Sequence, residues 1–138
     1  MKKMLYYVIT VAVIIILGAV CIVFASDENE KNIDFLKSYG WEVEQYCIER
    51  EEVKIPVVFD DTYNNYNTLQ KFAGLDLAPY KGKAALRYTY IVKNFPVKTD
   101  ETIRANVLCV NGNPIAGDVM TVNLDGFMYS LSYLKTGK

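Results

Sequence analysis

The chain has 138 residues, with 15 lysines and arginines against 16 aspartates and glutamates, and it contains no histidine. The missing histidine excludes serine-histidine and cysteine-histidine nucleophiles and every histidine-ligated metal. A net charge of -1 supplies none of the basic excess on which nucleic-acid binding rests, and no pattern in the chain points to a cofactor.

Residues 4–25 carry no charge. A helix rising about 1.5 Å per residue over that length covers a hydrocarbon core of about 30 Å. The segment is rich in Val and Ile and has no polar stripe, so the predicted element is a transmembrane helix in contact with a lipid bilayer on all sides. Lys2 and Lys3 precede it while Asp27, Glu28 and Glu30 follow, and a lysine excess marks the cytoplasmic end, so the rest of the chain is expected outside. Tyr6, Tyr7 and Phe24 stand where interfacial aromatics stand. The alternative is a secretory signal cleaved after Ala25, because Val23 and Ala25 occupy the small-residue positions before Ser26. An apolar run longer than the usual signal core of about 7–15 residues favours the anchor. The residues before Cys21, namely Gly18, Ala19 and Val20, lack the pattern of a lipidated cysteine, and Cys21 reads as a small apolar residue.

Residues 1–25 thus form an anchor or signal, and residues 26–138 are long enough for one extracytoplasmic domain. Its first part is acidic and its second part basic. Residues 27–39 read as a helix with Asp27 as N-cap and Glu30 in the capping-box position. Gly40 fits the left-handed position that ends such a helix, which folds Trp41 back onto Leu36. Residues 42–58 read as one strand or two, with Pro56 confining it to an edge and Glu42, Glu44, Arg50, Glu52 and Lys54 on a solvated face. A second helix follows, with Asp60, Asp61 or Thr62 as cap, Tyr63, Tyr66 and Leu69 at helical spacing, and Gly74 as the stop. Asp60, Thr62 and Asn64 mimic the start of a calcium loop, but Asn65 and Lys71 stand where its glycine and bidentate glutamate are required.

After a turn at residues 79–82, the strand 86–95 places Leu86, Tyr88, Tyr90 and Val92 on one side and Arg87, Thr89, Ile91 and Lys93 on the other. Residues 96–102 form a polar connection. Strands 103–110 and 115–124 flank Asn111-Gly112, the pair that best adopts the two positive φ angles of a tight hairpin. Simple alternation sets Val110 opposite Asn113, Leu108 opposite Ile115 and Ala105 opposite Asp118. That puts the Asp118 carboxylate on the apolar face of Ala105, Val107 and Cys109, where it is costly unless relieved. Three remedies are open: a bulge at Gly117 that turns Asp118 outward, a cation from Arg87 or Arg104, or a functional role. Asp125-Gly126 makes a turn, and residues 127–134 close the chain as strand or short helix. Cys47 and Cys109 either pair as a disulfide or remain as buried thiols.

The expected fold is α+β, two helices covering one face of an antiparallel sheet of about four or five strands, preceded by one transmembrane helix. The runs YNNYNTLQKFAGLDLAPYKGK, RYTYIVKN, RANVLCVNGNPIAGD and LDGFM, in that order over residues 32–131, resemble the bacterial family known as domain of unknown function 4830. The resemblance implies a small membrane-anchored protein of Clostridia-like Gram-positive bacteria, and it brings no activity. Tyr66, Asn67, Gln70, Tyr88, Tyr90, Arg104, Asn106, Asp118, Asp125, Gly126 and Phe127 match the family pattern, whereas Ala116 stands where a first glycine is expected. Asp118, Arg104, Tyr66, Asn67, Tyr88 and Tyr90 are the interaction candidates.

The expected function is a non-enzymatic, membrane-tethered module that binds an envelope protein, a peptide or a wall polymer. Two alternatives stand beside it. One is an envelope enzyme that sets Asp118 against Asp125 or Glu52 as a carboxylate pair, and the other is an inhibitor or regulator of a neighbouring membrane protein.

Overall fold

The structure, a computed structural model, describes residues 1–123 and 125–137, with residues 21–26 described as backbone only. The sequence readings of Cys21, Val23, Phe24, Ala25, Ser26 and Leu124 as side chains therefore lie outside the described residues. The first element, α1 (Lys2–Ser38), is a single helix of 37 residues. Its stretch Lys2–Val20 is wholly unburied and long and apolar enough to cross a membrane, a property that a signal sequence shares.

The helix does not restart at Asp27. The predicted N-cap is corrected here for a simple reason: the backbone N–H groups around Asp27 are inside a running helix, so they are not the orphan donors that a cap satisfies. Asp27 instead pairs with Lys31 one turn later at 2.8 Å. The C-terminal end is as expected. Gly40, at φ +96, returns its N–H to Lys37 O at 2.9 Å, and Trp41 returns its N–H to Leu36 O at 3.2 Å. Trp41 is 1% exposed, and its indole N–H donates to Leu131 O at 2.8 Å, so the tryptophan is a core residue.

Residues 42–58 are divided, as the two-piece reading has it: a bridge between Val43 and Val92 is followed after a break by β1 (Glu49–Lys54), which ends before Pro56. Helix α2 (Asp61–Phe72) is capped by Asp60, whose carboxylate accepts from Tyr63 N at 2.8 Å. It ends at Gly74, φ +75, with Leu75 N–H returning to Gln70 O. A 3-10 turn at Ala78–Tyr80 leads into β2 (Ala84–Ile91), then β3 (Arg104–Val110), β4 (Asn113–Met120), β5 (Met128–Ser130) and a last helical turn, α3 (Tyr133–Thr136). The five strands form one antiparallel sheet in the order β1-β2-β3-β4-β5.

The fold is α+β, but the helices do not share a face. One apolar cluster joins Leu36 and Trp41 to Tyr88, Tyr90, Ala105, Val107 and Cys109. A second joins Ala85, Leu108 and Val110 to Tyr63 and Tyr66. Alternate residues of β2 and β3 feed opposite clusters, so α1 covers one face of the sheet and α2 the other. Their C-caps meet where the Tyr39 hydroxyl donates to Ala73 O at 3.0 Å. A sheet of buried alternating residues on both faces requires this: either face left bare would expose a row of apolar side chains.

Candidate functional site

The β3-β4 hairpin decides where Asp118 points. Asn111 and Gly112 take φ values of 51° and 73°, as the two-residue turn demands. Val110 pairs with Asn113 and Cys109 with Pro114, after which the register slips: Leu108 faces Ala116, and Ile115 is the extra residue. Pro114 has no N–H to give the ladder, and a bulge beside it is the usual outcome. The slip sets Asn106, not Ala105, opposite Asp118. Asp118 thereby leaves the apolar α1 face, but it turns under α2 and not to solvent, and it is 2% exposed.

The bulge is not at Gly117, and that glycine has another task. A Cβ there would lie 2.5 Å from Asn106 O and 2.9 Å from Leu131 Cδ1, so close packing forbids one. Its N–H donates to Gln70 Oε1 of α2 at 2.9 Å.

Asp118 belongs to a polar row that crosses the sheet with one residue from every strand. Glu49 faces Thr89, Thr89 faces Asn106, Asn106 faces Asp118 and Asp118 faces Ser130. The last four are buried. The Thr89 hydroxyl donates to Asn106 Oδ1 at 2.8 Å, and Asn106 Nδ2 donates to Asp118 Oδ1 at 2.9 Å. From α2, the Tyr66 hydroxyl donates to Asp118 Oδ2 at 2.8 Å. Burial pushes the Asp118 carboxyl above its ordinary value, against the hydrogen bonds of Asn106 and Tyr66 and the field of Arg87. Burial, reinforced by Asp118, drives the Tyr66 hydroxyl well above its own.

Neither candidate cation hydrogen-bonds to Asp118. Arg87 pairs with Glu51 and reaches Asp118 through its field alone, and the buried Nε atoms of Arg87 and Arg104 have no hydrogen-bond partner among the described residues. Asn67 works elsewhere in the fold. Its side chain donates to Asp76 at 2.8 Å and accepts from Leu77 N at 2.7 Å, which fixes the turn after α2. Hydrogen bonds from Ala78 N and Asn67 hold the Asp76 carboxyl below its ordinary value.

Tyr88 and Tyr90 lie on the other face, against α1. The Tyr88 hydroxyl donates to Glu28, and the Arg50 guanidinium stands 5.7 Å from the centre of the Tyr88 ring. The Tyr90 hydroxyl donates to Asn29 Oδ1 at 3.0 Å and accepts from Asn32 Nδ2 at 3.2 Å. Cys109 is a free thiol that donates to Asn32 Oδ1 at 3.0 Å, and burial pushes it up to about 12. Cys47 is also free and half-buried. Burial raises Tyr88 and Tyr90 alike to about 12.

The six candidates thus divide between two faces, and the sheet separates them. Sequence reading missed Glu28, Asn29 and Asn32, which α1 carries, and Thr89 and Ser130 of the buried row. Alternation along β2 contained a signal for Thr89, since it stands between two inward tyrosines. Glu52 faces Leu86, which faces Cys109, so Glu52 belongs to the α1 side and cannot join Asp118 in a carboxylate pair. On that side an open cleft of about 510 Å³ is lined by Glu28, Arg50, Glu52, Asn111 and Gly112 among others.

The model of a family described as a domain of unknown function, DUF4830, matches residues 35–119. The chain belongs to this family. No curated protein and no solved structure matches it. The DUF4830 match runs from the last turn of α1 to Val119 of β4, so it contains Tyr66, Gln70, Thr89, Asn106 and Asp118 but not the apolar stretch of α1.

Proposed function

We propose that this chain is a non-enzymatic binding module, mounted on the outer face of the cell membrane and engaging an envelope protein, a peptide or a wall polymer. The observation that carries this reading is the continuity of α1. Its apolar part is wholly unburied, while its last turns contribute Asn32 and Leu36, both 0% exposed, to the domain's core. An unbroken helix from one to the other supports an anchor rather than a cleaved signal, since a leader that is to be removed has no reason to share a helix with the core. The lysines before the span and the acids after it support the outward orientation.

A binding role is favoured over catalysis by the state of Asp118. Its two oxygens are held by Asn106 and Tyr66, and the residue is sealed beneath α2. A glycan-cleaving pair needs two carboxyls about 5 to 9.5 Å apart in an open cleft, and Glu52 stands across the sheet.

The end of the sheet remote from Glu28 supplies a surface for a partner. Ile91, Arg104, Met120 and Met128 lie there in register. Around them Phe95, Phe127, Tyr129 and Tyr133 stack ring on ring at centroid distances of 4.2 to 5.9 Å, beside exposed Val97 and Val122. Apolar area of this kind on a mounted domain fits a docking surface.

Cross-linking in intact membranes, followed by identification of the captured species, tests the reading. Capture of one envelope partner, lost in a Val97→Asp/Val122→Asp variant, is the expected outcome. Capture of a neighbouring membrane protein would favour the regulator. Release of wall fragments by the purified full chain, abolished by Asp118→Asn, would overturn the binding reading in favour of an enzyme.

A further inference from the structure

The end of the domain that α1 enters is fixed by contacts. Glu28 lies one helical turn beyond the uncharged run, about 4.5 Å above Ala25 along the axis. Its carboxylate is 3.3 Å from where a Cβ on Gly112 would stand, so the β3-β4 turn lies beside the point where α1 meets the sheet. In the antiparallel register the same end carries the last residue of β1, Lys54, opposite the first of β2, Ala84.

The chain forms a rim there. Ile55 N–H donates to Lys83 O and Gly82 N–H donates to Ile55 O, each at 2.9 Å, and Val57 packs over Gly82. Val57 and Val58 are 68% and 79% exposed, which is unusual for two adjacent valines beside a formed core. Three lysines surround them: Lys54, Lys83 and Lys81, whose ammonium stands 4.6 Å over the Phe59 ring. None of the three forms an ion pair among the described residues, although Lys81 acts on Asp76 through its field. Of the acids that follow the valines, Asp60 is occupied as the cap of α2, and Asp61 remains exposed.

The headgroup layer extends about 5 to 7 Å beyond the hydrocarbon on each side. A rim at the level of Glu28 therefore falls within or against that layer when α1 is embedded. Adjacent apolar side chains with flanking lysines match its chemistry, apolar below and anionic above. We infer that this rim rests on the anionic headgroups of the bilayer that α1 crosses, with Val57 and Val58 at the acyl boundary and Lys54, Lys81 and Lys83 on phosphates.

This inference depends on α1 being embedded, and the test separates the two. The full chain carrying Val58→Trp is reconstituted into phosphatidylglycerol vesicles that contain a headgroup nitroxide lipid, with Val97→Trp at the opposite end as the control. Trp41 is buried in both and gives a constant background. Several-fold stronger quenching at position 58 than at position 97 is expected. The quenching should weaken in phosphatidylcholine and in the Lys54→Gln/Lys81→Gln/Lys83→Gln variant. Equal quenching at the two positions in chains that survive an alkaline carbonate wash overturns the rim contact alone. A Trp at position 58 shielded from acrylamide yet not quenched by lipid would mean a protein occupant, and would overturn it too. Release of the chain by carbonate overturns the embedded helix and the rim contact with it.

Discussion

Asp118 spends its hydrogen-bonding capacity inside the fold, and its behaviour follows from what surrounds it. Tyr66→Phe removes the donor to Oδ2 and leaves a buried acceptor short of a partner, at a cost of about 1–3 kcal/mol in urea denaturation. Asp118→Asn is milder, below about 1 kcal/mol, because the amide keeps the Asn106 bond and the Tyr66 hydroxyl can turn to accept. The pH dependence has a definite sign. The folded value lies above the ordinary 3.8, so the neutral carboxyl favours the folded state. Its stabilisation is complete below 3.8 and is lost as pH rises through the raised value. The stability of wild type minus Asp118→Asn should therefore grow on acidification across that window, and a difference that shrinks would show that the site favours the charged form.

The thiols offer a second check at this scale. With its value pushed to about 12, Cys109 holds almost no thiolate at neutral pH, and it is 3% exposed. Mass spectrometry after brief alkylation of the reduced native chain should find Cys47 modified and Cys109 untouched until denaturant is added. Early labelling of Cys109 would contradict its burial.

At the scale of elements, the parts written in local chemistry were legible and those set by the rest of the fold were not. Gly40 before Trp41 and Asp60 before α2 act through bonds within a few residues; Gly40 stands where sequence reading put it, and Asp60 is one of the three caps that reading offered. The Asp27 cap failed because a cap signal has meaning only where a helix begins, and α1 had begun 25 residues earlier. Of the two readings of residues 42–58 the broken one holds, since Glu44 and Ile48 bond to β2 at Ile91 and Thr89 outside a regular ladder, and only its end was set too late, β1 closing at Lys54. The placement of Asp118 turned on a single inserted residue, Ile115, whose signal in the sequence was the neighbouring Pro114 and not Gly117. Gly117 tests the result. Gly117→Ala forces a methyl against Asn106 O and Leu131, and should cost about 1–3 kcal/mol with the hairpin retained. A neutral substitution would mean that Gly117 sits further from Asn106 O of β3 and from Leu131 than these contacts place it.

For the whole molecule, the sheet divides two polar systems that sequence reading listed together. One ties α1 to Tyr88, Tyr90 and Cys109, and the other ties α2 to Asp118. Which face a helix covers is a long-range fact, and no pattern within α2 distinguished one face from the other. What was legible was an N-terminal helix long and apolar enough to cross a membrane, the antiparallel meander and the family. The link between them was the unexpected part: the apolar stretch and the first helix of the domain are one continuous helix, Lys2–Ser38.

Labelling of a Val97→Cys variant that also carries Cys47→Ser, in intact cells with a membrane-impermeant thiol reagent and followed by an alkaline carbonate wash, tests the mounted, outward-facing domain most directly. The account predicts that the exposed residue 97 is labelled without lysis and that the labelled chain stays full length in the membrane pellet. Labelling only after lysis, or a labelled chain shortened at Ala25 and recovered in the medium, would contradict it.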